Sequence, residues 1–296
     1  MLNDFKKITF NDIDYIRPFL GTENEYSCET TVINLVVWKE MYDNSYLIKD
    51  GCLFMRSHFD GVYRYSLPFS NDMERAVSLL SETIGEEPVF WAQEGDRFER
   101  FNSVFSDKYD ITYDRDAFDY IYLRENLSSL SGKKYHAKRN HISSFSKRFD
   151  WTYERITSAN INDVKICADK WYKENSDRFN DTMRCEKAGV NTILDNIDAL
   201  NAVGGAIRVG DDIVAFTIGS AINKNYFDIH IEKALADYAE GYTVINKEFA
   251  LNELSDFKYI NREDDLGLEG LRKAKLSYKP DILLQKYNCV PKGNLL

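Results

Sequence analysis

The sequence predicts an α+β protein made of two copies of one unit, each a mixed β-sheet flanked by helices. Three observations carry this expectation. The chain has 296 residues, more than one small core needs and enough for two domains of ordinary size. Apolar residues alternate with period two in some stretches and recur at spacings of three and four in others, so strands and helices are interspersed. The order of those stretches, β-α-α-β-β-β-α-β-α-β, occurs twice, once before residue 130 and once after residue 150.

In the first half, FKKITF (5–10) predicts a strand, followed by helices over NDIDYIRPFL (11–20) and ETTVINLVVWKEMYD (29–43). Strands NSYLIKD (44–50), CLFMRSH (52–58) and VYRYSLPF (62–69) follow, joined by the hairpin signals KDG and FDG. Then come helix DMERAVSLLSETIG (72–85), strand PVFWAQ (88–93), helix DRFERFNSVFS (96–106) and the alternating strand region YDITYDRDAFDYIYL (109–123). In the second half, strand WTYERI (151–156) leads to helices NINDVKICADKWYKE (160–174) and CEKAGVNTILDNIDAL (185–200). Strands GGAIRVG (204–210), DIVAFTIGSAI (212–222) and NYFDIHIEKA (225–234) come next. Helix TVINKEFALNEL (243–254), strand FKYIN (257–261), helix LEGLRKAKLSY (268–278) and strand DILLQKYNCV (281–290) complete the unit. The halves share this order without residue-level similarity.

The order resembles the acyltransferase fold related to the general control N-acetyltransferases (GNAT), in which a mixed sheet splays open and the donor sits in the gap. The expected division is an N-terminal GNAT-like domain over 1–130, a connecting basic helix over 131–149, and a C-terminal GNAT-like domain over 150–296 that carries the site. No Gly/Ser-rich or Pro-rich linker separates them, so close packing is expected.

Composition narrows the function. Hydrophobic residues at 44% and charged residues at 29% are ordinary for a globular chain, so the chain should fold without a partner. A formal net charge of -10 argues against a general nucleic-acid binder, although it allows a local basic patch. The start does not read as a signal peptide, and the longest apolar stretch, VINLVVW (32–38), is far short of the roughly 20 residues of a spanning helix. Five scattered cysteines, Cys28, Cys52, Cys167, Cys185 and Cys289, form no C-x-x-C pair. The expectation is a cytoplasmic protein with no metal site and no stable membrane insertion.

The connecting segment is the most biased. Between Asn126 and Phe149 there is no carboxylate, while Lys133, Lys134, Lys138, Arg139, Lys147 and Arg148 supply cations. Tyr135, Ile142, Phe145 and Phe149 form an apolar stripe, and Arg139 falls on it. An inward guanidinium needs an anionic or carbonyl partner. One reading is a solvated basic face with Arg139 snorkelling. The other is a site where Arg139, Lys138 and His136 meet the phosphate of a nucleotide, coenzyme or RNA end, with Lys134 on the helix's other side.

Further on, FDIHIEKALADYAEGYTVINKEFALNEL (227–254) runs strand, loop, helix. Acetyltransferases of this fold bind the coenzyme A pyrophosphate at this junction through a glycine-rich loop and a helix N-terminus. Here the loop after Lys233 is longer and has Gly241 alone, followed by Tyr242. Beyond it, YINRE (259–263) ends in the acids Glu263, Asp264 and Asp265, and on the following helix Lys275 shares a face with Leu268, Leu271 and Tyr278. Acids at the C-terminal end of a strand lie where open α/β sheets bind ligands. Adjacent acids also raise one another's pKa, which suits Glu263 or Asp264 to accept a proton. The arrangement predicts that these acids meet Lys275 or Arg272 across a cleft, with Asn261 and Tyr278 beside it. A solvated acidic turn followed by ordinary surface cations is the competing reading.

These residues resemble a family. GLRKAKLSYKPDILLQKY (270–287) is similar to the G-L-R-x-x-K-x-x-F/Y-x-P motif, ending in K/R-Y, of the C-terminal domain of phosphatidylglycerol lysyltransferases, also known as DUF2156. GKKYHAKRNHISSFSKRFDWTYE (132–154) resembles that domain's basic helix with its R-N pair, here Arg139 and Asn140. EKALADYAEGYTVINKEFALNEL resembles its loop with a cation, an acid and a glycine, and Lys233 stands where arginine is expected. The resemblance implies tandem acyltransferase-type domains with the working site in the C-terminal one. Known members move an aminoacyl group from a charged transfer RNA to a lipid hydroxyl, usually behind a multi-helix membrane domain.

The expected activity is acyl or aminoacyl transfer to a small-molecule amine or hydroxyl acceptor, with Glu263 or Asp264 as proton acceptor. Lys233, Lys275, Arg272 and Arg139 would hold donor phosphates or the developing oxyanion. Two donors fit: charged transfer RNA, from the family and the basic helix, and acyl coenzyme A, from the fold and the acidic net charge. The alternative is a degenerate transferase fold used for binding alone.

Overall fold

The computed structural model describes residues 4–22 and 24–293. In chain order the first half forms β1 (Lys6–Lys7), α1 (Ile13–Ile16), α2 (Val32–Val37), β2 (Ser45–Lys49), β3 (Cys52–Phe59), β4 (Val62–Ser66), α3 (Met73–Ile84), β5 (Phe90–Gln93), α4 (Asp96–Phe105), β6 (Tyr109–Tyr113), β7 (Asp119–Leu123) and α5 (Arg124–Ser129). The basic helix α6 (His136–Arg148) leads into β8 (Trp151–Arg155), α7 (Ile161–Glu174), α8 (Asp181–Asp195), β9 (Ala202–Val209), β10 (Asp212–Ala221), β11 (Tyr226–Ala234), α9 (Gly241–Asn252), β12 (Tyr259–Asn261), α10 (Glu269–Leu276), β13 (Ile282–Leu284) and β14 (Lys286–Pro291).

Local chemistry sets the boundaries. Both hairpins of the first half turn on an Asp-Gly pair at positive φ, Asp50 and Gly51, then Asp60 and Gly61, matching the right-handed twist of the flanking strands. Helix α3 starts where the Asp72 side chain accepts from Arg75 N at 3.0 Å, and stops at Gly85, whose φ is 81°. Between these caps Met73, Ala76, Val77, Leu80 and Ile84 bury one face into the first core.

Two seven-stranded sheets result. The first runs β1-β2-β3-β4-β5-β14-β6 and the second β13-β7-β12-β11-β10-β9-β8. Pairing is antiparallel except for β4 with β5 and β11 with β12. Each sheet lends the other a strand. β7 lies between β12 and β13, antiparallel to both, and β14 lies between β5 and β6, also antiparallel to both.

This exchange breaks two stretches expected as continuous. Residues 109–123 split around a short 3-10 turn at Arg115–Ala117, and 281–290 split at Gln285, so that each stretch serves both sheets. A boundary at residue 130 therefore does not divide one sheet from the other. Helix α5, absent from the sequence expectation, carries the chain from β7 towards α6.

The halves are further joined by α2, whose Ile33, Val36 and Val37 enter the core of the second sheet beside α7 and α8. Gly189 of α8 makes room: a β-carbon there would stand 2.7 Å from Val37 Cγ1. The segment before α2 lies across the second sheet. Asn223 Nδ2 donates to Thr22 O and Glu25 O, Asn261 Nδ2 donates to Tyr26 O at 2.9 Å, and Cys28 N donates to Asp119 Oδ2 at 3.1 Å.

Candidate active site

The parallel pair β11/β12 keeps register only from Tyr226/Tyr259 to Asp228/Asn261. Beyond that point β11 continues along β10, while residues 262 and 263 bond to β7 through Tyr120. The strands part, and side chains from both arms fill the gap. His230 Nδ1 lies 3.1 Å from Glu263 Oε1, and Arg262 donates to Glu232 Oε1 at 2.7 Å. In the first sheet the corresponding space after β4 is closed. Buried Arg97 donates to Leu67 O, stacks over Phe69 at 3.8 Å and pairs with Glu25.

Glu263 is held in a backbone conformation that costs energy. Its φ is 57°, a region that L-residues with a β-carbon avoid by roughly 1 kcal/mol or more. Two bonds impose it: Glu263 N donates to Asn261 Oδ1 at 2.7 Å, and Glu263 O accepts from Tyr120 N at 3.1 Å. The result aims the carboxylate at His230 and at Asn34 Nδ2, 3.3 Å away. Next to it, burial pushes Asp264 up to about 7, with Asp119 and Glu263 adding to the push while Lys286 and Lys275 oppose it. Asp265 differs from its neighbours. It is wholly buried and accepts from Arg272, Tyr120 and Gly267 N, and these bonds overcome burial to hold its pKa near 2.

Beneath the gap lies a buried charged cluster absent from the sequence reading. Lys286 Nζ lies 2.6 Å from Asp119 Oδ1 and 2.6 Å from Glu29 Oε1. Burial opposes the Lys286 charge, but Asp119, Cys28 and Glu29 outweigh it and raise its pKa. Cys28 Sγ is 3.4 Å from both Lys286 Nζ and Asp119 Oδ1. Beside these, Asp228 is fully buried and neither carboxylate oxygen has a hydrogen-bond partner among the described residues. His230 Nδ1 lies 3.4 Å from Asp228 Oδ2, and the other imidazole nitrogen, Nε2, is 2.9 Å from Ser220 Oγ. His230 sits at an irregularity: Ile218 pairs with Ile231 and Gly219 with Ile229, which leaves 230 without a partner across the ladder.

On the other side of the gap the charges are basic. Lys275 is buried, donates to Arg262 O, and has its pKa lowered by burial and by Arg262. Lys138 Nζ stands 3.7 Å from the centroid of the Tyr278 ring, with the Arg262 guanidinium 4.7 Å from the same centroid. Burial, then the Arg262 charge, pulls Lys138 down to about 8. From Lys138 a groove of about 380 Å³ opens between α6 and α10, lined by Lys134, Ala137, Lys138, His141, Gly270, Lys273, Ala274 and Ser277. No carboxylate among the described residues lines it.

The structure thus gathers Glu263, Asp264, Asn261, Lys275, Tyr278 and Lys138 of the expected set, although Asn261 is a buried pin that donates to Asp119 and Tyr26 O. The rest lie elsewhere. Arg139 is exposed and turns back to the carbonyls of Leu130, at 2.5 Å, and Gly132, at 2.8 Å, so carbonyls satisfy it and it does not share the cleft with Lys275. His136 and Asn140 are exposed and 3.3 Å from each other. Lys134, expected on the idle side of α6, lines the groove instead. Lys233 pairs with Glu186 at 2.7 Å and lies 3.9 Å from the Trp171 ring centroid, towards α7 and α8. Arg272 is spent on Asp265 and Asp116.

The junction expected to bind a pyrophosphate is covered. Gly241 is buried against Ala215 and Ala234, and the Tyr242 hydroxyl accepts from Trp171 Nε1 at 2.9 Å. Just before α9, Glu240 pairs with Arg148 and Ser144 of α6, and bonds to backbone lower its pKa. Glu240 thus places a carboxylate of the chain itself beside this helix start, tied to α6 and capping no amide of α9.

Two sheets flanked by helices, each with one parallel pair in an otherwise antiparallel order, define a tandem GNAT-like acyltransferase fold. The chain belongs to the family described as phosphatidylglycerol lysyltransferase, C-terminal, which matches residues 22–290. It is 35% identical to a conserved protein of unknown function from Bacteroides thetaiotaomicron, over 97% of this chain and 99% of that one, with a TM-score of 0.89. The structure of L-PGS from Bacillus licheniformis matches at 13% identity over 96% of this chain and 93% of that one, with a TM-score of 0.64. The DUF2156 domain of a putative lysylphosphatidylglycerol synthetase from Agrobacterium fabrum matches at 14%, over 96% and 92%, with a TM-score of 0.66. These two likenesses establish the fold. An uncharacterized protein of Mycoplasmoides gallisepticum is 25% identical over 183 residues, which span 61% of this chain and 58% of that protein. No helix among the described residues is long and apolar enough to cross a membrane.

Proposed function

We propose that the chain is an aminoacyl transferase whose donor is a charged transfer RNA and whose acceptor is a small-molecule amine or hydroxyl. One observation carries the choice of donor. The helix start that would hold a coenzyme A pyrophosphate has Gly241 buried and the Glu240 carboxylate tied to α6 beside it, whereas the groove beside Lys138 is basic, with no carboxylate among the described residues lining it. Phosphates of the RNA end would lie along Lys134, Lys138 and Lys273, with the ester carbonyl reaching the gap between β11 and β12. The acceptor nitrogen or oxygen attacks that carbonyl, and its proton passes to a carboxylate at 263 or 264. The carbon–oxygen bond to the ribose then breaks, and the departing ribose oxygen takes the proton back. Buried Lys275 stands by the same gap to offset the developing negative charge.

The test is direct binding of charged transfer RNA and of coenzyme A to the purified chain, with Lys138→Ala and Lys273→Ala as groove variants. RNA binding that both variants weaken supports the reading. Coenzyme A binding that both leave unchanged would sink it. A second reading, binding without transfer, is favoured by the His230–Glu263 and Arg262–Glu232 pairs that span the gap. Product formation from a charged transfer RNA decides between the two.

A further inference from the structure

The transferase reading leaves Asp228, His230, Ser220 and Cys28 without a task, and their geometry asks for one. A fully buried carboxylate with no hydrogen bond to either oxygen is costly, and Asp228 stands among further acids, Glu263 and Asp119. Lys286 does not settle the balance, because its ammonium is already bonded to Asp119 and Glu29. One positive charge is missing near Asp228.

We propose that Cys28, Asp228 and Glu263 form a binding site for one divalent, borderline-soft cation of the zinc type, which His230, standing beside the two acids, completes once the ion is bound. Cys28 Sγ, one oxygen of Asp228 and one of Glu263 lie within 4.8 Å of one another. His230 Nδ1 lies 3.1 Å from Glu263 Oε1 and 3.4 Å from Asp228 Oδ2. In a tetrahedral zinc site with bonds of about 2.0–2.3 Å, neighbouring ligand atoms are roughly 3.3–3.7 Å apart, so the imidazole stands at ligand spacing from Asp228 and slightly closer than that to Glu263. The thiolate selects a zinc-like ion over magnesium or calcium, which take oxygen ligands.

The surroundings have the form that metal sites use. Ser220 Oγ, 2.9 Å from His230 Nε2, can accept that nitrogen's hydrogen and so leave the Nδ1 lone pair facing the acids. Asn34 donates to Glu263 Oε1. Zinc replaces the thiol hydrogen that Cys28 directs at Asp119, and that proton leaves to solvent. The ligands come from the turn at Cys28–Thr30, from β11 and from the end of β12, so the ion ties the first half's covering segment to the arms of the gap. The proposal concerns metal binding by the resting chain and is tested without transfer; an ion bound to Glu263 would leave Asp264 as the proton acceptor of the transferase reading.

The test begins with the full chain stripped by chelator, shown to be folded by circular dichroism, and dialysed against Zn²⁺ for elemental analysis. One zinc per chain is expected. Loading with Co²⁺ should give a thiolate-to-cobalt charge-transfer band that Cys28→Ser abolishes and Cys52→Ser, in the first sheet, leaves intact. Asp228→Asn should weaken binding, and Ser220→Ala, which touches no metal, should weaken it about 10- to 100-fold. Folded wild-type chain that takes up no stoichiometric zinc would overturn the proposal and assign the missing charge at Asp228 to a proton. A cobalt spectrum unchanged in Cys28→Ser would overturn it equally.

Discussion

Lys286 Nζ and Asp119 Oδ1 lie 2.6 Å apart with both side chains wholly buried, and each residue opens one of the two exchanged strands. The chain leaves the second sheet for the first at Gln285, and makes the opposite crossing between Asp114 and Asp119. The ion pair therefore pins the two crossings to each other. Truncating one partner strands the other's charge in a dry site, which costs about 3–5 kcal/mol. Lys286→Ala is expected to lower the unfolding free energy by this amount in urea titrations. Lys286→Met with Asp119→Leu should recover part of it. Equal stability of Lys286→Ala and wild type would show that the pair does not hold the exchange.

Gly219 gives a second stability prediction. It follows the register shift in β10, and a β-carbon there would stand 2.1 Å from Asp228 O and 2.4 Å from Phe227 Cε1. Backbone cannot yield as a flexible side chain can. Gly219→Ala should cost about 1–3 kcal/mol through overpacking, and should disturb His230 and Asp228 with it. Gly61→Ala is not a substitute control, because its φ of 76° adds its own strain. Gly270→Ala, with open space around its position, should leave stability nearly unchanged.

Much of the fold was legible because it is local. Periodicity and turn residues placed the strand, helix, helix, hairpin order of both halves, and the acids at the end of β12 marked the parted strands. The exchange was not legible. Residues 109–123 and 281–290 alternate as single strands do, and pairing β7 with β12 or β14 with β5 is a choice among distant partners that period two leaves open. The site failed to show for the same reason. Asp119, Lys286, Glu29 and Asp228 are far apart in sequence, and a lone buried acid inside a strand such as YFDIHIEKA carries no spacing signal. Arg139 misled in a different way: its place on the apolar stripe of α6 asked for a partner, and the nearby carbonyls of Leu130 and Gly132 supplied it.

The placement of α6 separates two neighbouring cations by effect. Lys138→Ala should weaken binding of a short RNA hairpin with a single-stranded 3′ end, and reduce the salt slope of that binding by about 1. Arg139→Ala should leave RNA affinity and salt slope unchanged. Its cost is in stability, where losing two charged hydrogen bonds on an exposed side chain amounts to about 1 kcal/mol. Titrations at several salt concentrations check both. Loss of RNA binding in Arg139→Ala with Lys138→Ala unaffected would return the site to the outer face of the helix.

The pKa of Lys138 gives that binding a pH dependence. Burial lowers it to about 8, helped by the Arg262 charge and opposed by Glu232. The charged form attracts the anion, so binding should be full below about pH 7 and weaken as pH rises through about 8. An unperturbed lysine would hold its charge to about pH 10.4. A bound phosphate favours the charged form, so the midpoint measured at high RNA concentration should move upward. Lys138→Arg, whose guanidinium stays charged, should flatten the profile between about pH 7 and about pH 9.5. Fluorescence anisotropy of the labelled hairpin across that range reads both curves. A wild-type profile as flat as that of Lys138→Arg would show that the ammonium over the Tyr278 ring takes no part in holding the anion.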